Sequence, residues 1–321
     1  MDAKTVNKTL GYYLIPVFGV MLAEKYFDCP EKVEGEFTLT EKLDGFRLIT
    51  LIQCGRAEFF SRQGQHITGL TEVEKDLRDF CDKHNISWLF LDGELVALDC
   101  SDISSEENYK LVSKTARRAG EKTGLKYEVF DVLPFDHFAE GKSDKPYSKR
   151  REMLDTMSDV WRTQQYRHIE ILPVLYCGSD KEEITCWLDI MRSKNKEGIM
   201  INLNDKPYEF RRTSSLLKVK VMQDADLRIV DVYEGTGRNK GRLGGVIVEF
   251  MYKDKLWQCE CGSGFSDEER ISFWQNPDEI IGRIATISYF EITRNEDGGY
   301  GLRFAVWTHR IRYDKTEISM N

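Results

Sequence analysis

"LTEKLDGFR", Leu39 to Arg47, sets Lys42, Asp44 and Gly45 between two β-prone runs. Upstream, Glu36-Phe37-Thr38-Leu39-Thr40 alternates polar and apolar, and downstream Leu48-Ile49-Thr50-Leu51-Ile52 is strongly β-prone. Asp-Gly between apolar runs is a strong hairpin signal, and on this stretch alone the hairpin is the favoured reading. The alternative, a lysine held in place for chemistry, needs partners elsewhere in the chain.

Three further stretches supply them. In "FLDGELVAL", Phe90 to Leu98, Asp92 and Glu94 share one side of a strand that continues through Leu95-Val96-Ala97-Leu98, so Asp92-Gly93 is not a hairpin tip. Carboxylates on a mostly apolar strand are costly unless paired or metal-bound. In "KEGIMI", Lys196 to Ile201, Glu197-Gly198 opens an apolar run. In "LLKVK", Lys218 and Lys220 share a strand face, and Leu216-Leu217 beside them point to the edge of a buried sheet. Taken singly, each is an ordinary turn, junction or solvated face. Together they fit one reaction. A lysine amine attacks only when deprotonated, which cationic neighbours such as Lys218, Lys220 and a divalent metal favour. Glu94 and Glu197 are hard oxygen ligands suited to Mg²⁺, and phosphoryl transfer needs chiefly positioning and charge neutralisation.

The chain of 321 residues is long enough for two domains. Helical patterns cover Gly69–His84, Ser104–Ala119, Tyr147–Trp161 and Ser179–Ser193, the last with Ser179-Asp180 as cap. Between them lie strand-like runs such as "LKYEVFDVLPF" and "IEILPVLYC". This predicts an α+β domain with a mixed, largely antiparallel sheet over residues 1–222. Over 223–321, five short strands with Gly-rich turns and one helix, Ser266–Trp274, predict a small closed OB-fold β-barrel.

The net charge of −8 lowers the expectation of nucleic-acid binding unless basic residues gather on one face. They do crowd two stretches: Arg211 and Arg212 beside Lys218 and Lys220, and Arg238, Lys240 and Arg242 in "GRNKGR", read as a mobile loop. Eight scattered cysteines and five histidines offer neither zinc-ligand spacing nor a disulfide framework, and reduced thiols fit the cytoplasm. "LGYYLIPVFGVMLA", Leu10 to Ala23, is too short to span a bilayer and reads as a buried segment, so no membrane is expected.

The order of these pieces resembles the covalent nucleotidyltransferases, that is DNA ligases, RNA ligases and mRNA capping enzymes. Lys42-Leu43-Asp44-Gly45 matches their nucleotidyl-lysine motif, and Arg47 falls where ligases carry an arginine. Ser61-Arg62-Gln63-Gly64 and Asp92-Gly93-Glu94 match the motifs that follow, and Phe130 in "YEVFDVL" falls where the family stacks an aromatic on the purine. Glu197-Gly198 and Lys218-Val219-Lys220 come next, and Arg312-Tyr313-Asp314-Lys315 matches the RxDK element that ATP-dependent DNA ligases carry on their OB domain. "PVFGVMLA", Pro16 to Ala23, resembles the lead-in to the ligase lysine. One such motif is weak, whereas six in order are not coincidence.

The resemblance implies that Lys42 becomes AMP-linked and that Thr40, Glu41, Leu43, Arg47, Arg62, Glu94, Phe130, Lys218 and Lys220 hold the nucleotide. Lys218, Lys220, Arg312 and Lys315 would assist catalysis. Where many cellular ligases have a glutamate two residues before the lysine, this chain has Thr40, as some viral and RNA ligases do. About forty residues before Lys42 and no zinc cysteines leave no room for the added modules of NAD-dependent ligases, so ATP with Mg²⁺ is expected. The RxDK element favours DNA over RNA. The expectation is therefore a monomeric, compact ligase of the phage and prophage type, acting on nicked duplex DNA in the cytoplasm (the host's, if phage-encoded) for repair, replication or recombination. The alternatives are an RNA ligase, a GTP-dependent capping enzyme, or a non-enzymatic OB-fold nucleic-acid-binding protein.

Overall fold

The structure is a computed structural model that describes residues 3–11, 19–98, 105–295 and 298–320. It divides into two compact units, Met1–Lys220 and Val221–Asn321. Pro16, and most of the apolar segment around it, lies outside the described residues.

In the first unit the order is α1 (Ala3–Leu10), β1 (Leu22–Lys25), β2 (Phe37–Glu41), β3 (Phe46–Gln53), β4 (Arg56–Ser61), β5 (His66–Ile67), α2 (Thr71–His84), β6 (Trp88–Ala97) and α3 (Ser105–Arg117). There follow β7 (Leu125–Leu133), α4 (Phe135–Glu140), α5 (Tyr147–Gln164), β8 (Ile169–Ile171), β9 (Val174–Gly178), α6 (Glu182–Ser193), β10 (Gly198–Leu203) and β11 (Arg212–Lys220). Two sheets result, ordered β1-β11-β10-β2-β9 and β5-β4-β3-β6-β7-β8.

The hairpin reading of Asp44-Gly45 fails here. β2 belongs to one sheet and β3 to the other, so Lys42 to Gly45 is the crossing between them. A glycine is required at the crossing, because a Cβ on Gly45 would lie 2.1 Å from the Leu95 carbonyl oxygen. Gly45→Ala is accordingly expected to cost about 1–3 kcal/mol through forced backbone shifts, read as a lowered midpoint of denaturant unfolding. A wild-type midpoint would refute the crowding argument. "IEILPVLYC" is likewise two strands. β8 pairs in parallel with β7, Leu172-Pro173 crosses, and β9 pairs antiparallel with β2.

The unbroken apolar run of β3 has its cause in burial on both faces. Leu48 and Ile52 enter a core with Val73, Leu77 and Phe80 of α2, while Ile49 and Leu51 enter a second with Val6 of α1 and Phe138 of α4. Asp92-Gly93 lies inside β6, as the sequence implied, and a Cβ on Gly93 would meet the Glu128 carbonyl oxygen at 2.4 Å. β11, expected at a sheet edge, is internal, since β1 pairs with it in parallel and takes the edge. α6 starts at Glu182, whose N–H bonds Asp180 Oδ1 at 2.9 Å, so the cap comes from Asp180.

The second unit contains β12 (Gln223–Glu234), β13 (Leu243–Tyr252), β14 (Lys255–Cys261), α7 (Asp267–Gln275), β15 (Ile284–Tyr289), β16 (Glu291–Arg294), β17 (Tyr300–Arg303), β18 (Val306–Ile311) and β19 (Ser319–Met320). α7 opens on a full capping box between Ser266 and Glu269. The expected closed barrel is an open one. The sheet runs β14-β13-β12-β15-β18, and beyond it Ser263 and Val306 form a single parallel bridge. The fourth and fifth expected strands each break in two, and β16 with β17 forms a separate ribbon that uses backbone groups a continuous ladder would need. Among the described residues no helix is long and apolar enough to cross a membrane, and the seven described cysteines are free.

Candidate active site

Both crossings between the sheets of the first unit, Lys42-Leu43 and Leu172, line one pocket. β2 delivers Thr40 and Glu41 to its wall, and the Lys42 N–H bonds the Gly198 carbonyl at 2.9 Å. Only glycine fits at 198, where a Cβ would stand 2.0 Å from the Val219 carbonyl oxygen. That close approach sets Glu197, 4% exposed, beside the lysines. Its Oε2 accepts from Lys42 Nζ at 2.5 Å and its Oε1 pairs with Lys220 Nζ at 2.8 Å. Lys218, opposite Met200 of β10, lines the pocket itself. Burial, together with the charges of Arg212, Lys220 and Lys42, pushes the Lys218 ammonium below its usual range.

The opposite wall is built on β3, β6 and β7. Arg47 grips Asp92 through Nε at 2.9 Å and Nη2 at 2.5 Å, and Nη2 also reaches the Met21 carbonyl at 2.9 Å. Asp92 is fully buried, and its charge keeps the Arg47 guanidinium ionised against the cost of burial. The guanidinium sits 5.3 Å from the centre of the Phe130 ring and steadies that wall. Burial raises the Glu94 carboxyl to about 8, against the pull of Lys42 and Arg47. Such a desolvated acid suits a cation brought in by phosphates. Among the described residues no cluster of three His, Cys, Asp or Glu could hold a metal ion. Arg62 projects from a turn in which Ser61 Oγ accepts from the N–H groups of Gln63 and Gln65 and Gly64 takes φ +81°.

The structure thus brings together Thr40, Glu41, Lys42, Leu43, Arg47, Arg62, Glu94, Phe130 and Lys218, with Glu197 and Lys220 attached through ion pairs. Arg212, assigned from sequence to nucleic acid, lines the pocket and bonds the Ala23 carbonyl at 2.5 Å. Arg211 is exposed and pairs with Glu209. "GRNKGR" folds as a short turn over Gly237–Asn239. Gly241 N–H bonds Glu234 Oε1 at 2.9 Å, and Arg242 pairs with Asp267 at 3.1 Å. In the second unit Arg312 pairs with Asp226 and Asp314, and Lys315 with Asp226.

Sequence reading missed several participants. Tyr208 donates to Asp92 at 2.7 Å and accepts from Met21 N–H at 3.0 Å, tying the pocket's rim to its floor. Asn108 of α3 binds the Asp44 carbonyl at 2.8 Å and Ala97 N–H at 2.9 Å, clamping the crossing. Asn202, opposite Thr38 in the sheet and lining the pocket with Thr40, has no hydrogen-bond partner for its side-chain amide among the described residues. None of these sits in a motif. Only Asn202, a polar break in the "IMINL" run, leaves any local signal.

Residues 20–220 match the family model described as the ATP dependent DNA ligase domain, and residues 234–312 that of the DNA ligase OB-like domain. The chain is 27% identical to the DNA ligase of Haemophilus influenzae over 276 residues, 86% of this chain and 87% of that one. It is 28% identical over 232 residues to the multifunctional non-homologous end joining protein LigD of Mycolicibacterium smegmatis, 71% of this chain but only 27% of LigD's length. The solved chain named Pmar-Lig_Pre. superposes with a TM-score of 0.80 and 28% identity, covering 97% of this chain and 71% of its own. A structure of Lig E DNA ligases, at 21% identity, has a TM-score of 0.64 over 92% of this chain and 100% of that one, a likeness of fold.

Proposed function

The chain belongs to the ATP-dependent DNA ligase family, and from that premise we propose that it seals 3′-hydroxyl/5′-phosphate nicks in duplex DNA through a lysyl-AMP intermediate. The observation that carries the proposal is the contact of Lys42 Nζ with Glu197 in a pocket whose other wall holds Arg47, Glu94 and Phe130. In the first step the Lys42 ammonium gives its proton to water, and its Nζ forms a P–N bond to the α-phosphorus of ATP while the bond to pyrophosphate breaks. Glu197 is the oxygen nearest that ammonium and holds it until the phosphate takes over. Lys218 and Lys220 neutralise charge on the phosphates, and Phe130 stacks on the purine, with Thr40 and Asn202 left to hydrogen-bond its edge. A 5′-phosphate oxygen then attacks the AMP phosphorus and frees Lys42. In the last step the 3′-hydroxyl attacks that 5′-phosphate and AMP leaves.

Glu94 and Glu197 would hold a Mg²⁺, whose charge favours the crowded phosphates when it is bound. Arg312 and Lys315 of the OB-like unit orient the pyrophosphate for in-line departure. The test is incubation with α-labelled ATP or GTP. A covalent protein adduct from ATP that survives alkali and is cleaved by acid, as a P–N bond is, supports the ligase, an adduct from GTP a capping enzyme, and none a binding module.

For the DNA, the reading uses the cations at Arg238, Lys240 and Arg242 on the second unit. Neutralising all three should weaken binding to a nicked duplex and reduce the log–log salt slope by about one unit for each phosphate no longer neutralised. Because Arg242 already pairs with Asp267, its single replacement should change the slope less than that of Arg238 or Lys240. An unchanged slope in the triple variant would remove this loop from the DNA-binding surface.

A further inference from the structure

The two cations of the Arg312 to Lys315 motif converge on an acid that no motif marks. Asp226 stands in β12 opposite Thr286 of β15 and is 2% exposed. Its Oδ1 accepts from Thr286 Oγ1 at 2.6 Å, and its Oδ2 accepts from Arg312 Nη1 at 2.7 Å and from Lys315 Nζ. Arg312 also grips Asp314 at 2.9 and 2.7 Å and is fixed by its own N–H, 2.7 Å from the Ile284 carbonyl. Lys315 bonds no other carboxylate among the described residues. The segment beyond is fastened to the same strand. Arg228 donates to the Thr316 carbonyl at 2.8 Å, and Ser319 pairs with Asp226 itself. Burial pushes the Asp226 carboxyl up, but the hydrogen bonds from Lys315 and Thr286 and the two cationic charges outweigh it, so the group stays below the usual carboxylate range.

A buried carboxylate shared by a guanidinium and an ammonium holds two like charges side by side that would otherwise repel. It matters most for lysine, whose head rides on a flexible four-carbon stem. We propose that Asp226 is a positioning residue for the first chemical step, presenting Arg312 and Lys315 as a pre-oriented pair to the triphosphate. This rests on the reading of those two cations given above.

Asp226→Asn keeps the shape and an acceptor for Thr286 but removes the charge. The maximal rate of adduct formation from ATP should fall about ten- to a hundredfold, the loss expected of misplaced catalytic groups. The KM for ATP should not rise, because the added positive charge attracts the triphosphate. A pre-adenylylated nick should be sealed within about twofold of wild type, since that step does not depend on the pyrophosphate. Added to Arg312→Ala with Lys315→Ala, the change should cost nothing more. Equal slowing of both steps, a rise in KM alone, or full additivity would overturn the inference. Asp226→Glu, which keeps the charge but displaces both cations, must show the same loss confined to the first step, so poor folding of the Asn variant does not protect the proposal. If the double cation variant adenylylates normally, the reading of the cations fails. If it is impaired while Asp226→Asn is not, the inference about Asp226 alone fails.

Discussion

Lys42→Ala should form no covalent adduct from labelled ATP, a loss of more than about a thousandfold, and should seal no nick when ATP is the only source of AMP. No neighbouring amine can stand in. Lys220 is tied to Glu197, and Lys218 stands on β11, which β10 separates from β2 in the sheet. The same variant supplied with a nick that already carries AMP has no need of the lysine nucleophile and should seal it far faster than it seals from ATP. Lys42→Arg should fail like Lys42→Ala, because a guanidinium does not lose its proton under these conditions. The readouts are a denaturing gel of labelled protein and single-turnover sealing of both nicks. Wild-type adduct in Lys42→Ala would sink the assignment of the nucleophile.

Arg312→Ala and Lys315→Ala should divide the reaction by step. On the proposed reading each removes a cation that orients the leaving pyrophosphate, and loss of one such charge costs about 10²–10³ in rate. The loss should appear in adduct formation from ATP. A pre-adenylylated nick should be sealed at rates much nearer wild type. Arg312→Ala carries a second consequence. Arg312 is the largest of the influences that hold the exposed Asp314 carboxyl down at about 2, and without it Asp314 should titrate at a higher pH, visible as a shifted carboxyl resonance. Normal adduct with failed sealing would instead place Arg312 among the DNA-binding residues.

The two-unit division, the strands and long helices, and most of the pocket are legible in the amino-acid order. Lys42, Glu94, Glu197 and Lys218 each set a charge within or beside a β-prone run, which is ordinary in any one window, and it is their order along the chain that marks them together. α4 reads in sequence as the tail of a strand, because Pro134-Phe135 at the end of "LKYEVFDVLPF" continues the apolar run until the chain turns. The barrel's closure is illegible for a similar reason. Strand periodicity describes each segment and says nothing of whether first and last edges meet.

What the sequence determined by itself, then, was which residues carry charge into an apolar setting, and in what order, and that order, through its resemblance to the ligases, was enough to identify the family. Only the tertiary structure decided what the opening stretch does. Asp44-Gly45 is a crossing between sheets, because β2 finds its partners in β9 and β10 while β3 finds its own in β4 and β6, all but β4 distant in sequence. It also decided the supporting residues. Tyr208 lies 116 residues from Asp92, and Asp226 lies 86 residues from Arg312. A hydrogen bond depends on atoms within about 3 Å in space, and separation along the chain leaves no trace of it until the fold brings the partners together.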